Sequence, residues 1–306
     1  MSNPLRKTCR DEPGGSAAPR VLVTGAAGLL GRQIVRVLAP ICRILPTGRK
    51  ECDVTSAERV RREIARFAPD VVIHCAAYTA VDRAETDRDA AFLLNETGTR
   101  NVARACGERG IPLVTYGTDY VFDGRSERPY REEDPANPLS VYGKSKRAAE
   151  IALAEEASDW LLIRTQWLFG PGGPDFVTAI LRKADREGAL QVVKDQVGCP
   201  TFAPDLAEAT VSLLDRGARG IVHFSNAGQT SFFEYAVFLL KESGRGTVRV
   251  DPVRTADLPP GAYPAPRPAR SVLDKGKYVE ITGSHPRPWQ EAVREYLGML
   301  RTGSPS

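Results

Sequence analysis

The stretch RVLVTGAAGLLGRQ, Arg20 to Gln33, sets a continuous apolar run directly against three glycines spaced three apart, Gly25, Gly28 and Gly31. An unbroken run of Val and Leu has no polar face, so it suits a strand covered on both sides of a sheet. Helical character follows at once, from Leu29 to Leu38. Strand, glycine turn and helix start, in that order, place free backbone N–H groups at a helix amino end, where the pyrophosphate of a dinucleotide is met. Gly25, Gly28 and Gly31 are therefore expected to line a dinucleotide site.

The same rhythm recurs down the chain. Val71 to Ala77 (VVIHCAA), Pro112 to Gly117 (PLVTYG) and Trp160 to Thr165 (WLLIRT) are apolar runs bounded by small residues, and Cys42 to Pro46 (CRILP) is a weaker one. Helices are expected at Ser56 to Phe67, Ala90 to Gly107 and Tyr142 to Glu156. Strand alternating with helix implies right-handed crossovers and an α/β fold with a doubly wound parallel sheet of the Rossmann type. Beyond Arg164, Pro and Gly accumulate in FGPGGPD, VGCPTFAPD and LPPGAYPAPRPAR. Long loops are expected there, with one further strand at Ile221 to Phe224 and a helix at Ser231 to Ser243. The expected organisation is a flexible leader over residues 1–19 and a dinucleotide-binding domain over 20–166, which segment 205–245 rejoins. A smaller, interleaved C-terminal substrate domain takes 167–204 and 246–301.

Charge and cysteine content narrow the class. Forty-two Lys and Arg against 38 Asp and Glu leave +4 with no long run of one sign, which does not point to nucleic acid. Cys9, Cys42, Cys52, Cys75, Cys106 and Cys199 form no C-x-x-C pair and no cluster with His, so reduced cysteines in a cytoplasmic protein are expected. No apolar stretch reaches 18 residues, and neither a signal peptide nor a membrane span is expected.

Two further features bear on chemistry. A dinucleotide fold specific for NAD carries Asp or Glu at the end of its second strand to bind the ribose 2′-OH. Here the chain reads LPTGRKECDV, with Arg49 and Lys50 in that place. Arg49 suits a 2′-phosphate, which favours NADPH over NADH; a solvated basic turn is the competing reading. Asp53, with Val54, either contacts adenine or caps the helix that starts near Ser56.

Tyr142 and Lys146 stand four apart in YGKSKRAAEIAL, on one face of the expected helix. An ammonium near a phenol lowers the phenol's pKa and makes it a usable acid. With nine Tyr and nine Lys in the chain, that spacing arises by chance roughly 0.3 times, so position carries the argument. The pair opens the helix after the fourth strand, at the carboxyl edge where ligands of such sheets bind. Thr118 lies just past that strand, placed to meet a substrate carbonyl oxygen.

Together these residues resemble the extended short-chain dehydrogenase/reductase superfamily and, more closely, the dTDP-4-dehydrorhamnose reductase family. The resemblance runs from Arg20 to Leu300 and rests on TGAAGLLG, AAYTAVDRAE (Ala76 to Glu85), GTDYVFDG (Gly117 to Gly124), NPLSVYGKSK (Asn137 to Lys146), RTQWLFG (Arg164 to Gly170), DQVGCPT (Asp195 to Thr201) and RPARSVLD (Arg267 to Asp274). It implies reduction of the C4 ketone of a dTDP-4-keto-6-deoxy-L-sugar by NADPH, with NADH the alternative cofactor, in a monomer or weak homodimer. Tyr142 is implied as proton donor, Lys146 as its partner and Thr118 as the hydroxyl tuning the transfer. Cofactor contacts are implied for Gly28, Leu29, Leu30, Asp53, Val54, Ala76, Ala77, Tyr78, Thr79, Tyr116, Tyr142 and Lys146, and sugar contacts for Thr118, Asp119 and Trp167. Asn95 matches the residue that props the lysine.

Three positions depart from the family pattern. Gly117 stands where members commonly have Ser, and Arg270 replaces an amide. Gln33 replaces a Glu that in some members binds Mg²⁺ between subunits, so no such metal link is expected. A related dTDP-4-ketohexose reductase making an antibiotic sugar such as dTDP-L-dihydrostreptose, a sugar-nucleotide epimerase and a non-catalytic regulatory subunit are the alternatives.

Overall fold

The structure, a computed structural model, describes residues 18–259 and 261–302. Cys9 and most of the expected leader lie outside the described residues. Six strands, β1 (Arg20–Thr24), β2 (Arg43–Thr47), β3 (Val71–His74), β4 (Leu113–Thr118), β5 (Trp160–Thr165) and β6 (Gly220–His223), form one sheet in the order β6-β5-β4-β3-β1-β2. Every neighbouring pair is parallel. The order reverses between β1 and β3, and a crevice opens outside the carboxyl ends of strands at such a switch point.

Both sheet faces are apolar because the strands alternate Val and Leu about the pleat. Val21 and Val23 of β1 pack on one side against helices α1 (Leu29–Leu38) and α5 (Ala203–Asp215), through Leu30, Ile34, Leu206 and Leu213. Leu22, between them, packs on the other side against α2 (Ala57–Phe67), α3 (Gly98–Gly107) and α4 (Val141–Glu156), through Val60, Ile64, Val102 and Leu153. Ser56 starts α2 by accepting the Arg59 N–H at 3.4 Å, the work of a helix cap. A third apolar cluster, built on Phe169, Phe202, Tyr235, Trp289 and Tyr296, lies in the carboxyl half.

Two expectations change. The helix expected at Ala90 to Gly107 is interrupted: Arg88–Phe92 leads into a π-helical turn at Leu93–Thr97 before α3. That turn aims Asn95 inward, where its amide accepts from the Tyr78 N–H at 2.8 Å and donates to the Tyr78 carbonyl at 3.1 Å and to Ser145 Oγ at 2.9 Å. Wide turns of this kind commonly serve a site rather than the helix itself. The carboxyl half, expected as long loops, contains helices at Phe176–Ala184, Ala203–Asp215, Gly276–Thr282 and Trp289–Thr302. One of its prolines, Pro204, occupies the first turn of α5, where the missing N–H is no loss.

Candidate active site

A cleft of about 700 Å³ opens at the switch point. Its floor is the turn after β1. Gly25 adopts φ +64°, and a Cβ there would lie 2.6 Å from the Ala76 nitrogen, so only glycine lets the β1 and β3 ends approach. Gly28 precedes α1 without any side-chain cap, and no acidic residue stands in the first turn. The α1 N–H groups therefore remain available to an anion, and Gly28, Leu29, Leu30 and Gly31 line the cleft. Ala76, Ala77, Thr79 and Tyr116 line it too, with Thr118, Asp119, Tyr142, Lys146 and Trp167.

Other expected contacts stand off that wall. Arg49 is 89% exposed, with an ion pair of 3.7 Å to Asp53, and its guanidinium stands in solvent beyond the end of β2. Asp53 accepts the Thr55 N–H and hydroxyl at 3.1 and 2.7 Å; the cap of α2 belongs to Ser56 instead. Val54 is buried in the core, with its carbonyl held by the Asn101 amide. Tyr78 turns its phenol to Asp87 at 3.1 Å.

Tyr142 sits in the first turn of α4, which Ser140 caps by accepting the Gly143 N–H at 3.0 Å. Its ring meets Tyr120 edge-on at 5.5 Å. Lys146, one turn on, donates from Nζ to the Tyr116 carbonyl at 2.7 Å. The expectation that Lys146 depresses the Tyr142 pKa is corrected here. Burial pushes the phenol up to about 12, the Thr118 hydroxyl opposes the rise and the Asp119 charge adds to it. Burial also pushes the Lys146 ammonium down to about 8, against the nearby Glu150 and Cys75. Desolvation outweighs the pairing because both groups are enclosed and the ammonium points at a carbonyl. Asn95 likewise makes its bonds to Tyr78 and Ser145 and reaches Lys146 only through the α4 backbone.

Asp119 is buried beside this group. Ser271 Oγ donates to one carboxyl oxygen at 2.5 Å and Thr118 Oγ1 to the other at 3.1 Å. Burial nonetheless raises its pKa from the ordinary 3.8 to about 6. The folded carboxyl holds its proton more tightly than the unfolded one, so stability falls as pH rises between those two values and the full penalty is present above them. Asp119→Asn is accordingly expected to raise the melting temperature by a few degrees at pH 8 and to lose that advantage below pH 4. Thermal melts of both proteins across that range check it.

The three departures have local reasons. A Cβ on residue 117 would lie 2.7 Å from Arg164 Cγ and 3.1 Å from Glu150 Oε1, so glycine leaves room for an ion pair buried beneath β4. Arg164 and Glu150 are 2% and 3% exposed and bonded twice at 2.8 Å. Arg270 donates to Gln229 at 2.8 Å and lies off the cleft wall. Gln33 is buried and its amide holds the Pro171 carbonyl at 3.0 Å.

Trp167 takes φ +45°, a left-handed conformation that a bulky residue adopts only under constraint. Its ring stacks on Phe232 at 3.7 Å and so forms a flat wall of the cleft. Residues 263 to 274 are expected from the sequence to contribute to the pocket, without individual roles, and Tyr263 and Arg267 of that segment line the cleft. Asp82 grips Arg267 at 2.7 and 2.9 Å and the Ala265 N–H at 3.2 Å. Arg267 in turn lies over the Tyr263 ring at 4.2 Å, so the Pro-rich segment is clamped at the mouth. Asp82 and Arg267 both sit in stretches that carry the family resemblance, which was the available signal.

The sequence pattern of the RmlD substrate binding domain matches residues 19–302. A dTDP-4-dehydrorhamnose reductase of Streptomyces griseus is 39% identical over 297 residues, covering 94% of this chain and 96% of its own. The chain belongs to the dTDP-4-dehydrorhamnose reductase family. It is an oxidoreductase by that membership. The crystal structure of the dTDP-4-dehydrorhamnose reductase of Bacillus anthracis in complex with NADP superposes with a TM-score of 0.87 at 34% identity, covering 91% of this chain and 98% of that one. Within the family's reach is also a probable dTDP-4,6-dihydroxy-2-methyloxan-3-one 4-ketoreductase of Streptomyces antibioticus, 42% identical over 282 residues, 90% of this chain and 94% of its own. Among the described residues no helix is long and apolar enough to cross a membrane.

Proposed function

We propose that this chain reduces the C4 ketone of a dTDP-4-keto-6-deoxy-L-sugar with NADPH, dTDP-4-dehydrorhamnose being the substrate and dTDP-L-rhamnose the product. The observation that carries the reading is one cleft lined both by the uncapped amino end of α1 and by the buried Tyr142, Thr118 and Lys146. The α1 end and the Gly25 turn suit the pyrophosphate of a dinucleotide. When bound, a reduced nicotinamide supplies the hydride that the ketone carbon accepts.

The residues of the chain do the rest. Tyr142 is protonated throughout the neutral range, since burial holds its pKa near 12, and it gives that proton to the alkoxide oxygen as charge develops there. Thr118 fixes the same oxygen by donating its hydroxyl proton to it when substrate is bound, the hydroxyl rotating away from Asp119 to do so. In the free enzyme that hydroxyl donates to Asp119 instead. Lys146, whose ammonium is held at the Tyr116 carbonyl, would meet the ribose of a bound nicotinamide. Walls of Trp167, Phe232 and Tyr263 exclude water from the reacting centre.

Arg49 is the residue proposed for the 2′-phosphate. NADPH consumption with dTDP-4-dehydrorhamnose is the test, with kcat/KM for NADPH expected to exceed that for NADH. Arg49→Ala should raise the KM for NADPH about tenfold and leave that for NADH within about twofold, as removal of one charge-assisted contact does. Equal loss with both cofactors would remove Arg49 from this role.

A further inference from the structure

At the carboxyl end of β5 two buried polar atoms find no hydrogen-bond partner among the described residues, Thr165 Oγ1 and Gln166 Nε2. Both residues line the cleft, and Gln166 is 2% exposed. The orientation of its amide is set by its other end, because the Cys199 N–H donates to Gln166 Oε1 at 3.1 Å. Nε2 is left facing no acceptor. Native proteins seldom bury an N–H without a partner, and an unpaired one on a cavity wall calls for a ligand atom to complete it.

Other polar side chains of the cleft wall are engaged elsewhere. Gln196 Nε2 is committed to Thr255 Oγ1 at 3.0 Å, Asp119 to Ser271 and Thr118, and Arg267 to Asp82. The strained Trp167 follows directly and turns the chain at this point, a placement of stored strain that accompanies function. Register adds the distance. Thr165 is the Cα partner of Thr118 across the parallel β4–β5 pair, so the two residues stand about 4.8 Å apart. A ligand oxygen held by Thr118 therefore has the substituent of the adjoining carbon within reach of β5. A hydroxyl group needs one donor and one acceptor, and an amide N–H beside a threonine oxygen offers both.

We propose that Gln166, with Thr165, recognises the hydroxyl on the sugar-ring carbon next to the reacting ketone, Gln166 Nε2 donating to that oxygen and Thr165 Oγ1 receiving its proton. This rests on the reading of the cleft as a keto-sugar site, and it makes residue 166 a determinant of which deoxysugar is accepted. Sites that hydrogen-bond a ligand hydroxyl reject the analogue lacking it because the buried protein groups are then unpaired.

The test is titration calorimetry of the NADPH-loaded protein with dTDP-L-rhamnose and with its 2-deoxy and 3-deoxy analogues. The parent should bind the 3-deoxy analogue about tenfold more weakly than dTDP-L-rhamnose, with a smaller loss for the 2-deoxy one. Gln166→Met should narrow the 3-deoxy difference to about twofold and leave NADPH affinity unchanged. Thr165→Val, whose hydroxyl has no protein partner to lose, should fold like the parent and narrow the difference too. Undiminished discrimination by both variants overturns the proposal. So does a parallel loss of NADPH affinity in Gln166→Met, which would assign the amide to the nicotinamide. Failure of the parent to bind any of the three ligands would remove the keto-sugar reading along with this one, whereas unchanged variants beside a binding parent remove this one alone.

Discussion

Tyr142→Phe is expected to lower turnover of a dTDP-4-keto-6-deoxy sugar by about a thousandfold, within the range that a positioned general acid contributes. Hydride arrival leaves an alkoxide, a far stronger base than a phenolate, so even a phenol raised to about 12 by burial delivers its proton downhill. Phenylalanine keeps the ring that packs edge-on against Tyr120 and removes only the acid. NADPH affinity should therefore stay within about twofold, since the seat proposed for the charged parts of the cofactor is the α1 end and not this hydroxyl. The parent's rate should also show no loss up to pH 9 from ionisation of Tyr142. A variant that retained a tenth of parental turnover would place the proton donor elsewhere.

Glu150→Ala has the largest expected effect on stability. Arg164 is among the largest fully buried side chains, and Glu150 neutralises it through two bonds of 2.8 Å. What remains around the guanidinium is a Glu132 carbonyl at 3.4 Å, the neutral His223 ring at 3.4 Å and the face of Phe122 at 5.1 Å. Stranding a buried charge in this way costs about 3–5 kcal/mol. For a chain of this length that is a fall in melting temperature on the order of 10 °C. The double variant Glu150→Leu/Arg164→Met should fall less, because removing both partners abolishes the desolvation penalty as well as the attraction. Calorimetric melts of the two variants distinguish a needed ion pair from a merely filled space. A double variant less stable than Glu150→Ala would show that the pair contributes beyond neutralising itself.

The sheet and the floor of the cleft were readable in the residues because their causes are local. Val, Leu and Ile runs without a polar face admit only strands covered twice, and the glycine turn into α1 repeats a geometry set by backbone sterics alone. Bounds expected for α1, Leu29 to Leu38, match the structure. What escaped depended on distant parts of the chain. The Lys146 ammonium turns to the Tyr116 carbonyl, and the shift of Tyr142 follows from enclosure that no spacing reports. Asn95 faces inward through a π-helical turn, which propensity over one window does not register. Arg267 and Tyr263 reach the cleft mouth only because Asp82, more than 180 residues earlier, holds them there. Prolines in the carboxyl half read as loop signals, whereas Pro204 opens a helix. The free Gln166 amide is invisible until its Oε1 is seen to be taken by Cys199.

Hydride transfer from a reduced nicotinamide to the sugar C4 is tested most directly with NADPH carrying deuterium in both positions of the nicotinamide C4. Incubation with dTDP-4-dehydrorhamnose, followed by proton NMR of the product, should show dTDP-L-rhamnose with deuterium bonded to C4 and no signal from a proton there. NADPH left unconsumed, or a product whose C4 hydrogen came from water, would contradict it.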